Sequence, residues 1–386
     1  MSRIAEGLGI DLGSFGADGA VVVGSNGKGS TAAMAAALLQ QTGRSVGLFT
    51  SPHLLALNER FRIEGEDISD EELALQWERV AAAAEAAGEA GNLGGFEFLF
   101  LIAAAWFKAR GCAYTVWEAG IGGRLDPVRL INAQRVALTS LDFEHTYLLG
   151  DTLADIAAQK IDAAPAGARL FVSESCADER AAIEAHCGER GVALRFLPAL
   201  AGASPLAGAH QGENAALARA LACDAATLTE AQVRAGFAAV RWPGRLEMLE
   251  TSPLVVIDVG HTPAGVRCAL EGFEVMRAGR KAVLVCGVSA DKDSSGIVAA
   301  LAPRFDVIVC AAAHHKGAPA AVIAAHAAAA HPQAEIIIAE GIADARRIAL
   351  ARSGAEGAVY VAGGVFLAAE FKAVHLGIDP AALVFF

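Results

Sequence analysis

Residues 21–31 read Val-Val-Val-Gly-Ser-Asn-Gly-Lys-Gly-Ser-Thr, and the helix-compatible residues 32–41 follow directly. A β-branched strand, a glycine loop and a helix N-terminus in this order form an arrangement that binds phosphate. The glycines let backbone N–H groups approach the anion, and the helix dipole favours its negative charge. In such a loop Lys28 can reach the β- and γ-phosphates of a nucleotide, and Ser30 can place its hydroxyl on Mg²⁺.

The loop departs from the strict Walker A spacing. That spacing requires glycine at position 22 and serine or threonine at position 29, whereas this chain has Val22 and Gly29. From this loop alone, both the phosphate-binding interpretation and an ordinary glycine-rich turn remain open.

On both sides of the loop, short β-branched runs alternate with longer alanine- and leucine-rich stretches. This alternation indicates the α/β class, with βαβ units around a mostly parallel sheet. The predicted strands cover residues 20–23, 115–117, 135–139, 254–257, 282–286, 307–309, 335–338 and 358–361.

Two breaks interrupt this alternation. Residues 199–210 are rich in Gly, Ala, Ser and Pro, and a later helical segment should end before Pro243. We place the domain boundary at the second break, which predicts one domain of residues 1–240, carrying the phosphate loop, and another of residues 241–386.

Composition restricts the class of protein. The 386 residues are 54% hydrophobic and 19% charged, so the chain can bury a sizeable core. A net charge of -12 with scattered basic residues argues against a nucleic-acid or membrane partner. No apolar stretch reaches membrane-span length and no secretory signal is visible, which predicts a cytoplasmic protein. The seven cysteines lack a Cys-x-x-Cys pair and should be reduced and mostly buried, forming neither a disulfide frame nor a zinc site.

Residues 24–30 resemble the G-T-N-G-K-G-S loop of the folylpolyglutamate synthase/dihydrofolate synthase family, a branch of the Mur ligases. Further motifs follow in the order of that family, and the resemblance spans about residues 20 to 370. They lie at residues 50–54 and 58–60 (TSPHL and NER), 96–98 (FEF), 118–126 (EAGIGGRLD), 145–152 (HTYLLGDT), 159–160 (QK), 243–247 (PGRLE), 258–263 (DVGHTP) and 291–293 (DKD).

The resemblance implies a Mur-ligase-like P-loop ATPase domain with a mostly parallel sheet, plus a smaller C-terminal Rossmann-like α/β domain. It also implies an ADP-forming ligase, in which a carboxylic acid is activated by ATP as an acyl phosphate and an amino acid, glutamate in the family, displaces the phosphate. ATP and Mg²⁺, with up to two ions, are the implied cofactors. Two alternatives remain: a related ligase for a non-folate acid, and a nucleotide-binding module that catalyses nothing.

Motif positions imply the metal site. Ser30 and Glu118 should hold the Mg²⁺ between the β- and γ-phosphates, and His145 should bind a second metal ion. Lys160 matches the lysine that many Mur ligases carry as a carbamate, and Gln159 leaves it without the acidic sequence neighbour of the family. The alternative for Lys160 is an ordinary helix-surface lysine. Lys28, His145 and Lys160 are thus the implied catalytic residues.

The implied nucleotide site draws on both domains. Asn214, on one helix face with His210, should lie near the adenine, unless the pair is only a polar helix start. Arg245, Asp258 and His261 should bring the second domain onto the phosphates and the ribose. The phosphate loop itself contributes Asn26, Gly27, Lys28, Gly29, Ser30 and Thr31.

Several interpretations stay open in the second domain. Asp258 can instead be a helix N-cap for the start at Thr262. His314 and His315 are expected in a solvated loop, although an acceptor-site role is the alternative, and residues 291–293 can be only a turn.

Departures from the family pattern concentrate toward the acid substrate. Few residues precede the first predicted strand, Arg129 replaces an asparagine, and Thr262 replaces the asparagine of H-N-P. These changes predict a smaller or differently charged acid, with folate-type substrates poor.

Overall fold

The computed structural model describes residues 1–202 and 204–385, and its strands form two sheets. The first sheet has eight strands in the order β4-β3-β2-β5-β1-β6-β7-β8. They are β1 (Gly19–Val23), β2 (Val46–Phe49), β3 (Phe61–Ile63), β4 (Glu66–Asp67), β5 (Tyr114–Glu118), β6 (Arg135–Leu138), β7 (Arg169–Ser173) and β8 (Ala193–Leu197). The helices of this part are α1 (Ser2–Gly7), α2 (Lys28–Gln40), α3 (Asp70–Ala86), α4 (Gly95–Ala109), α5 (Thr146–Leu149), α6 (Leu153–Ile161), α7 (Arg180–Arg190), α8 (Gln211–Ala225) and α9 (Glu230–Ala239).

The second sheet has six strands in the order β13-β12-β11-β14-β10-β9, parallel except for the antiparallel β9. They are β9 (Glu247–Thr251), β10 (Leu254–Ile257), β11 (Ala282–Cys286), β12 (Val307–Cys310), β13 (Glu335–Ile338) and β14 (Ala358–Ala362). Its helices are α10 (Pro263–Arg277), α11 (Ser294–Leu301), α12 (Ala320–Ala330), α13 (Ile342–Ser353) and α14 (Val365–His375). The predicted α/β class and all the predicted strands are confirmed.

The central strand β1 places the phosphate loop. It pairs in parallel with β5 and β6, with Val22 opposite Glu118 and Val23 opposite Leu138. Carboxyl ends of parallel strands meet at one edge of a sheet, where α/β proteins bind ligands. The phosphate loop, Glu118 and the segment after β6 therefore lie side by side.

Burial explains the sequence of these elements. All five residues of β1 are buried, as expected for a parallel strand covered on both faces, and this favours its β-branched run. Helix α2 is buried from Gly29 to Leu39 between the sheet and α8, and its alanines allow that close approach.

The connection between the two sheets is fixed to the second one. The carbonyl of Gly244 accepts the Val259 N–H at 2.9 Å. The Gly244 N–H donates to the Glu247 carboxylate at 2.8 Å, and the Leu246 N–H donates to Asp258 Oδ2 at 3.1 Å. Arg245 must therefore move with the second sheet. The division at residue 240 stays a prediction, and it falls between α9 and β9.

All seven cysteines are free, and Cys176, Cys187, Cys286 and Cys310 are buried. Among the residues that the structure describes, no helix is long and apolar enough to cross a membrane.

Candidate active site

A cleft with about 1000 Å³ of space, part of it open to solvent, lies between the two sheets. Residues from both sides of the molecule line it, which a nucleotide site shared by two domains requires. The first side contributes Ser25–Gly29, Thr50–Leu54, Glu118, Glu144, His145 and Trp242, which packs against the core of that side, and the second side contributes Pro243, Arg245, Val259, His261 and Val365.

The phosphate loop is held in shape by the end of β6. Thr139 Oγ1 donates to the Asn26 carbonyl at 2.5 Å, and the Asn26 N–H donates to Ser140 Oγ at 2.9 Å. Gly27 has a φ of 85°, a left-handed conformation that glycine adopts without strain, and it is the N-cap of α2. The helix begins at Lys28, four residues before the predicted start at 32.

Lys28 is half-buried at the helix start. Its Nζ donates to the carbonyls of Gly24 at 2.8 Å and Ser25 at 3.3 Å. The ammonium is therefore folded over the loop that would hold phosphate.

The structure gives a reason for the failed Walker A spacing. A Cβ atom on Gly29 would lie 2.8 Å from Trp242 Cζ2, closer than real contacts allow. Serine or threonine at this position would force the indole ring away. Ser30 comes one residue later, and its buried Oγ has no hydrogen-bond partner within the described residues.

Glu118 ends β5 as a buried carboxylate in the cleft. Its Oε2 accepts the Ser51 N–H at 3.0 Å. Burial raises the pKa of Glu118, and the positive charges of Lys28 and Arg245 oppose that rise. Ser51 and Glu118 line the same cleft, whereas Ser30 lines a neighbouring cavity. Sequence reasoning missed Ser51, although it stands in the TSPHL motif.

Lys160 is buried, so the alternative of an ordinary surface lysine is wrong. Its Nζ lies 2.7 Å from Glu144 Oε1, so Glu144 supplies the acidic partner that the neighbouring Gln159 cannot. Burial lowers the pKa of Lys160 to about 8. Burial would raise the pKa of Glu144, but Lys28 and Lys160 outweigh it and lower that pKa to about 2.

His145 follows Glu144 directly and lines the cleft. It is the N-cap of α5 and has a left-handed φ of 44°. Burial and the charge of Lys292 lower its pKa, which favours the neutral imidazole that binds metal ions.

The second side of the cleft contributes Arg245 and His261. Arg245 lines both the cleft and the neighbouring cavity, and its buried Nε has no hydrogen-bond partner in the described part of the chain. Burial, followed by the charges of Lys292 and Arg245, lowers the pKa of His261 to about 4. The imidazole is therefore neutral at pH 7.

Asp258 is not a helix N-cap, because Thr262 accepts the Gly265 N–H at 3.1 Å and caps α10 itself. The buried Asp258 instead accepts N–H groups from Gly260 at 2.7 Å and Leu246 at 3.1 Å. Its carboxylate thus fixes the backbone directly after Arg245 and directly before His261.

The neighbouring cavity, with about 950 Å³ of space, lies on the other side of the phosphate loop. His210 and Asn214 line it together, as the four-residue spacing predicts, and Asp258 and Ser30 also face it. Thr31 is buried and donates to Asn214 Oδ1 at 3.3 Å, so it joins α2 to α8.

A third cavity, with about 800 Å³, meets the cleft at Gly120. Most of its side chains are apolar: Phe96, Ile121, Leu125, Pro127, Leu148 and Leu149. Arg129 is exposed and donates to the Arg124 carbonyl at 3.2 Å, outside the described lining of this cavity. It therefore does not support our prediction of a differently charged acid.

The remaining candidates are not among the residues described as lining the cleft, although the charge of Lys292 acts on His145 and His261 there. The N–H groups of His314 and His315 donate to the buried Glu370, so their loop is built around that carboxylate. Asp293 caps α11 by accepting the Gly296 N–H at 2.9 Å, which agrees with a turn at residues 291–293.

Comparison with known proteins adds to this geometry. Residues 244–365 match the family described as Mur ligase, glutamate ligase domain. The dihydrofolate synthase/folylpolyglutamate synthase of Mycobacterium tuberculosis is 34% identical over 349 residues, which cover 78% of this chain and 71% of that protein.

A probable bifunctional folylpolyglutamate synthase/dihydropteroate synthase of Halobacterium salinarum is 31% identical over 390 residues, covering 92% of this chain and 47% of that protein. The chain thus spans about half the length of this relative. A crystal structure of the Yersinia pestis folylpolyglutamate synthase/dihydrofolate synthase, complexed with AMPPNP and a Mn ion, is 27% identical with a TM-score of 0.82. It covers 97% of this chain and 92% of that chain.

Proposed function

Because this chain belongs to the folylpolyglutamate synthase/dihydrofolate synthase family, we propose that it is an ATP-dependent amide ligase joining a carboxylic acid to glutamate. One observation carries the proposal: Lys28 and Glu118 from the first sheet face Arg245 and His261 from the second across one cleft. Cations on both sides suit a polyphosphate, and a buried carboxylate between them suits the metal ion that accompanies it.

The residues present fit ATP and a divalent metal ion. The Arg245 Nε is a buried donor without a partner among the described residues, as a phosphate-binding group would be before its ligand arrives. The N-terminus of α2 points its N–H groups toward the same space. When bound, ATP would supply the phosphoryl group that activates the acid as an acyl phosphate, and Mg²⁺ would neutralise the charge of the two reacting anions.

Roles for individual residues follow. Asn26, Gly27, Lys28 and Gly29 would hold the phosphates from one side, with Arg245 and His261 on the other. Asn214 and His210 line the neighbouring cavity, which would take the adenine and ribose, and Asp258 and Thr31 would support them. Glu118 would bind the metal ion.

The hydroxyl that accompanies Glu118 has two candidates. Ser51 has its N–H on the Glu118 carboxylate, and Ser30 has a buried Oγ without a described partner. We favour Ser51, since it lines the same cleft as Glu118. Mn²⁺ titration of Ser51→Ala and Ser30→Ala with a non-hydrolysable ATP analogue distinguishes them, because only loss of the ligand should weaken Mn²⁺ binding.

A second metal ion and a carbamate on Lys160 are the finer part of the proposal. His145 and Glu144 line the cleft next to Lys160, which would supply an anionic oxygen once carbamylated. Carbamylation joins the neutral Nζ to the carbon of CO₂ and releases one proton. The lowered pKa of Lys160, about 8, makes the neutral amine accessible near pH 7.

The third cavity would hold the body of the acid substrate. It opens into the cleft at Gly120, two residues from Glu118, so an acid seated there can direct its carboxylate toward the phosphates. Its apolar lining suits a flat aromatic body such as that of a pteroate or folate. A non-folate acid remains the second candidate, because apolar lining does not distinguish aromatic acids from one another.

Phosphate release from ATP tests the proposal. We expect release that requires both an acid and an amino acid, with dihydropteroate or a folate as the acid and glutamate as the amino acid. This proposal replaces the prediction from the sequence that folate-type substrates are poor, since the relatives are folylpolyglutamate and dihydrofolate synthases. Release with a non-folate acid alone would support the second candidate. Nucleotide binding without phosphate release for any pair of acid and amino acid would leave only a nucleotide-binding module. We also propose that the protein acts in the cytoplasm.

A further inference from the structure

The segment after β2, residues 50–56, starts in the first sheet but packs into the second. At one end, Ser51 donates its N–H to Glu118. Three residues later, Leu54 is buried in the apolar core of the second sheet with Ile257 and Val259. This segment, called the bridging loop below, therefore connects the proposed metal carboxylate to the second domain.

A single carboxylate holds the turn of the bridging loop. Glu59 accepts the N–H groups of Leu54 at 2.7 Å, Leu55 at 2.8 Å and Ala56 at 3.0 Å. These bonds fix the loop internally, but they leave its orientation relative to the cleft to other contacts.

His53 makes two of those contacts. It is 2% exposed, and its Nδ1 accepts the Arg60 Nε–H at 2.9 Å. An imidazole that accepts at Nδ1 must carry its proton at Nε2 when neutral. Nε2 accordingly donates to the Val384 carbonyl at 2.7 Å, which joins the bridging loop to the segment after α14.

Phe385 covers the same histidine. Its ring is stacked on the imidazole, with centroids 5.3 Å apart and planes 9° from parallel. The same phenyl ring contacts Phe366 at 4.8 Å and His315 at 5.1 Å, both from the second domain. Residues 383–385 therefore rest on the second domain and clamp His53 of the first.

We propose that residues 383–385 form a strap that positions Ser51 against Glu118 by fixing His53. His53 and Phe385 act as positioning residues, since neither is required to touch a reacting atom. The contacts between residues 383–385 and His53 do not depend on the proposed ligase activity. Their consequence for metal binding rests on that proposed function.

Hydrogen exchange tests the strap without any ligand. In Phe385→Ala we expect the amides of Ser51 and of residues 53–56 to exchange about fivefold faster or more, because the loop opens more often, with α2 unchanged. Phe385→Leu, which keeps apolar contact but cannot stack, should fall between. Val384→Ala is the matched control, since its exposed side chain is removed while the accepting carbonyl stays. Unchanged exchange in Phe385→Ala and in His53→Leu would overturn the proposal.

Mn²⁺ binding tests the consequence. With a non-hydrolysable ATP analogue, the Kd for Mn²⁺ should rise about fivefold in Phe385→Ala. Ser51→Ala removes the proposed hydroxyl ligand but keeps the N–H that binds Glu118, so the effect of Phe385→Ala should become smaller in a Ser51→Ala background. Additive effects would show that the strap does not act through the Ser51 hydroxyl. A wild-type protein without acid-dependent phosphate release, but with loop exchange that responds to Phe385, would reject the proposed function and keep the strap.

Discussion

Asn26 in the phosphate loop and Thr262 at the start of α10 are hydrogen-bonded across the cleft, with Asn26 Nδ2 donating to Thr262 Oγ1 at 3.3 Å. Thr262 Oγ1 also accepts the Gly265 N–H and so caps the helix. One hydroxyl therefore joins the nucleotide loop of the first sheet to the first helix of the second. A movement of one domain relative to the other should therefore displace the phosphate loop directly.

Thr262→Val tests this connection. Loss of the cap should lower the free energy of unfolding by about 1 kcal/mol, and loss of the Asn26 contact should raise KM for ATP severalfold with a smaller effect on kcat. Thr262→Ser keeps the hydroxyl and should behave as wild type in denaturant titration and in kinetics. Equal KM values in Thr262→Val and wild type would show that the contact does not contribute to nucleotide binding.

Lys28→Ala should reduce turnover about a hundredfold and leave the chain folded. Among the described residues Lys28 donates only to loop carbonyls, and its charge also favours the Glu118 and Glu144 carboxylates, so we expect a modest loss of stability. A lost charge-assisted phosphate contact costs about 2–3 kcal/mol, or about a hundredfold in rate. Phosphate release and thermal melting measure the two effects. The exposed Lys108→Ala is the control for a lysine outside the cleft. Full activity in Lys28→Ala would make the loop structural.

Gly29→Ser should be damaging although it restores the Walker A residue. Its Cβ would lie 2.8 Å from the Trp242 ring, so either the indole or the helix start must move. We expect a loss of at least about tenfold in kcat/KM, since misplaced groups reduce catalysis steeply. Gly29→Ser combined with Trp242→Leu should recover part of that loss. A double variant no better than Gly29→Ser, or worse, would mean that Trp242 is not the obstacle.

The eight predicted strands are confirmed because most of them are β-branched runs that are largely buried, so local preference and tertiary environment agree, although the edge strand β13 is partly exposed. Strands β2, β3, β4, β7, β8 and β9 were not predicted. The sequence predicts helix starts less well: α2 begins at Lys28 because Gly27 adopts a left-handed conformation, which no apolar pattern records. Contacts between segments that are distant in the sequence could not be predicted from local patterns. The Gly29–Trp242 approach and the pairing of Lys160 with Glu144 depend on the folded chain. Ser51 lies in a recognised motif, but nothing in the spacing of the sequence indicated that it would lie next to Glu118.

Acid should lower the free energy of unfolding by protonating Glu144. Its folded-state pKa, about 2, lies below the ordinary value of 4.5, so its stabilisation is complete above pH 4.5 and is lost as the pH falls toward 2. At pH 7, Glu144→Gln leaves Lys160 buried without its partner and should lower the free energy of unfolding by about 3 kcal/mol. Denaturant titrations at pH 7 and pH 3 should show this difference shrinking in acid. A constant difference would place the acid-sensitive group elsewhere.

The last prediction concerns Lys160, whose buried Nζ contacts Glu144 next to His145. A free ammonium there would repel Mg²⁺, whereas a carbamate would offer it an oxygen ligand. Lys160→Ala should therefore be nearly inactive, and it should regain some activity with acetate, because a free carboxylate can take the place of the missing oxygen ligand.

Wild-type activity should also rise with added bicarbonate near pH 8. At that pH, close to the pKa of Lys160, much of the Lys160 side chain is the neutral amine that reacts with CO₂. Lys160→Arg is the matched control, because it keeps a positive charge beside Glu144 but cannot form the carbamate, and acetate should not rescue it. Mass spectrometry of the native protein should detect the added CO₂ directly. Full activity in Lys160→Ala, or rescue of Lys160→Arg by acetate, would reduce Lys160 to the structural partner of Glu144.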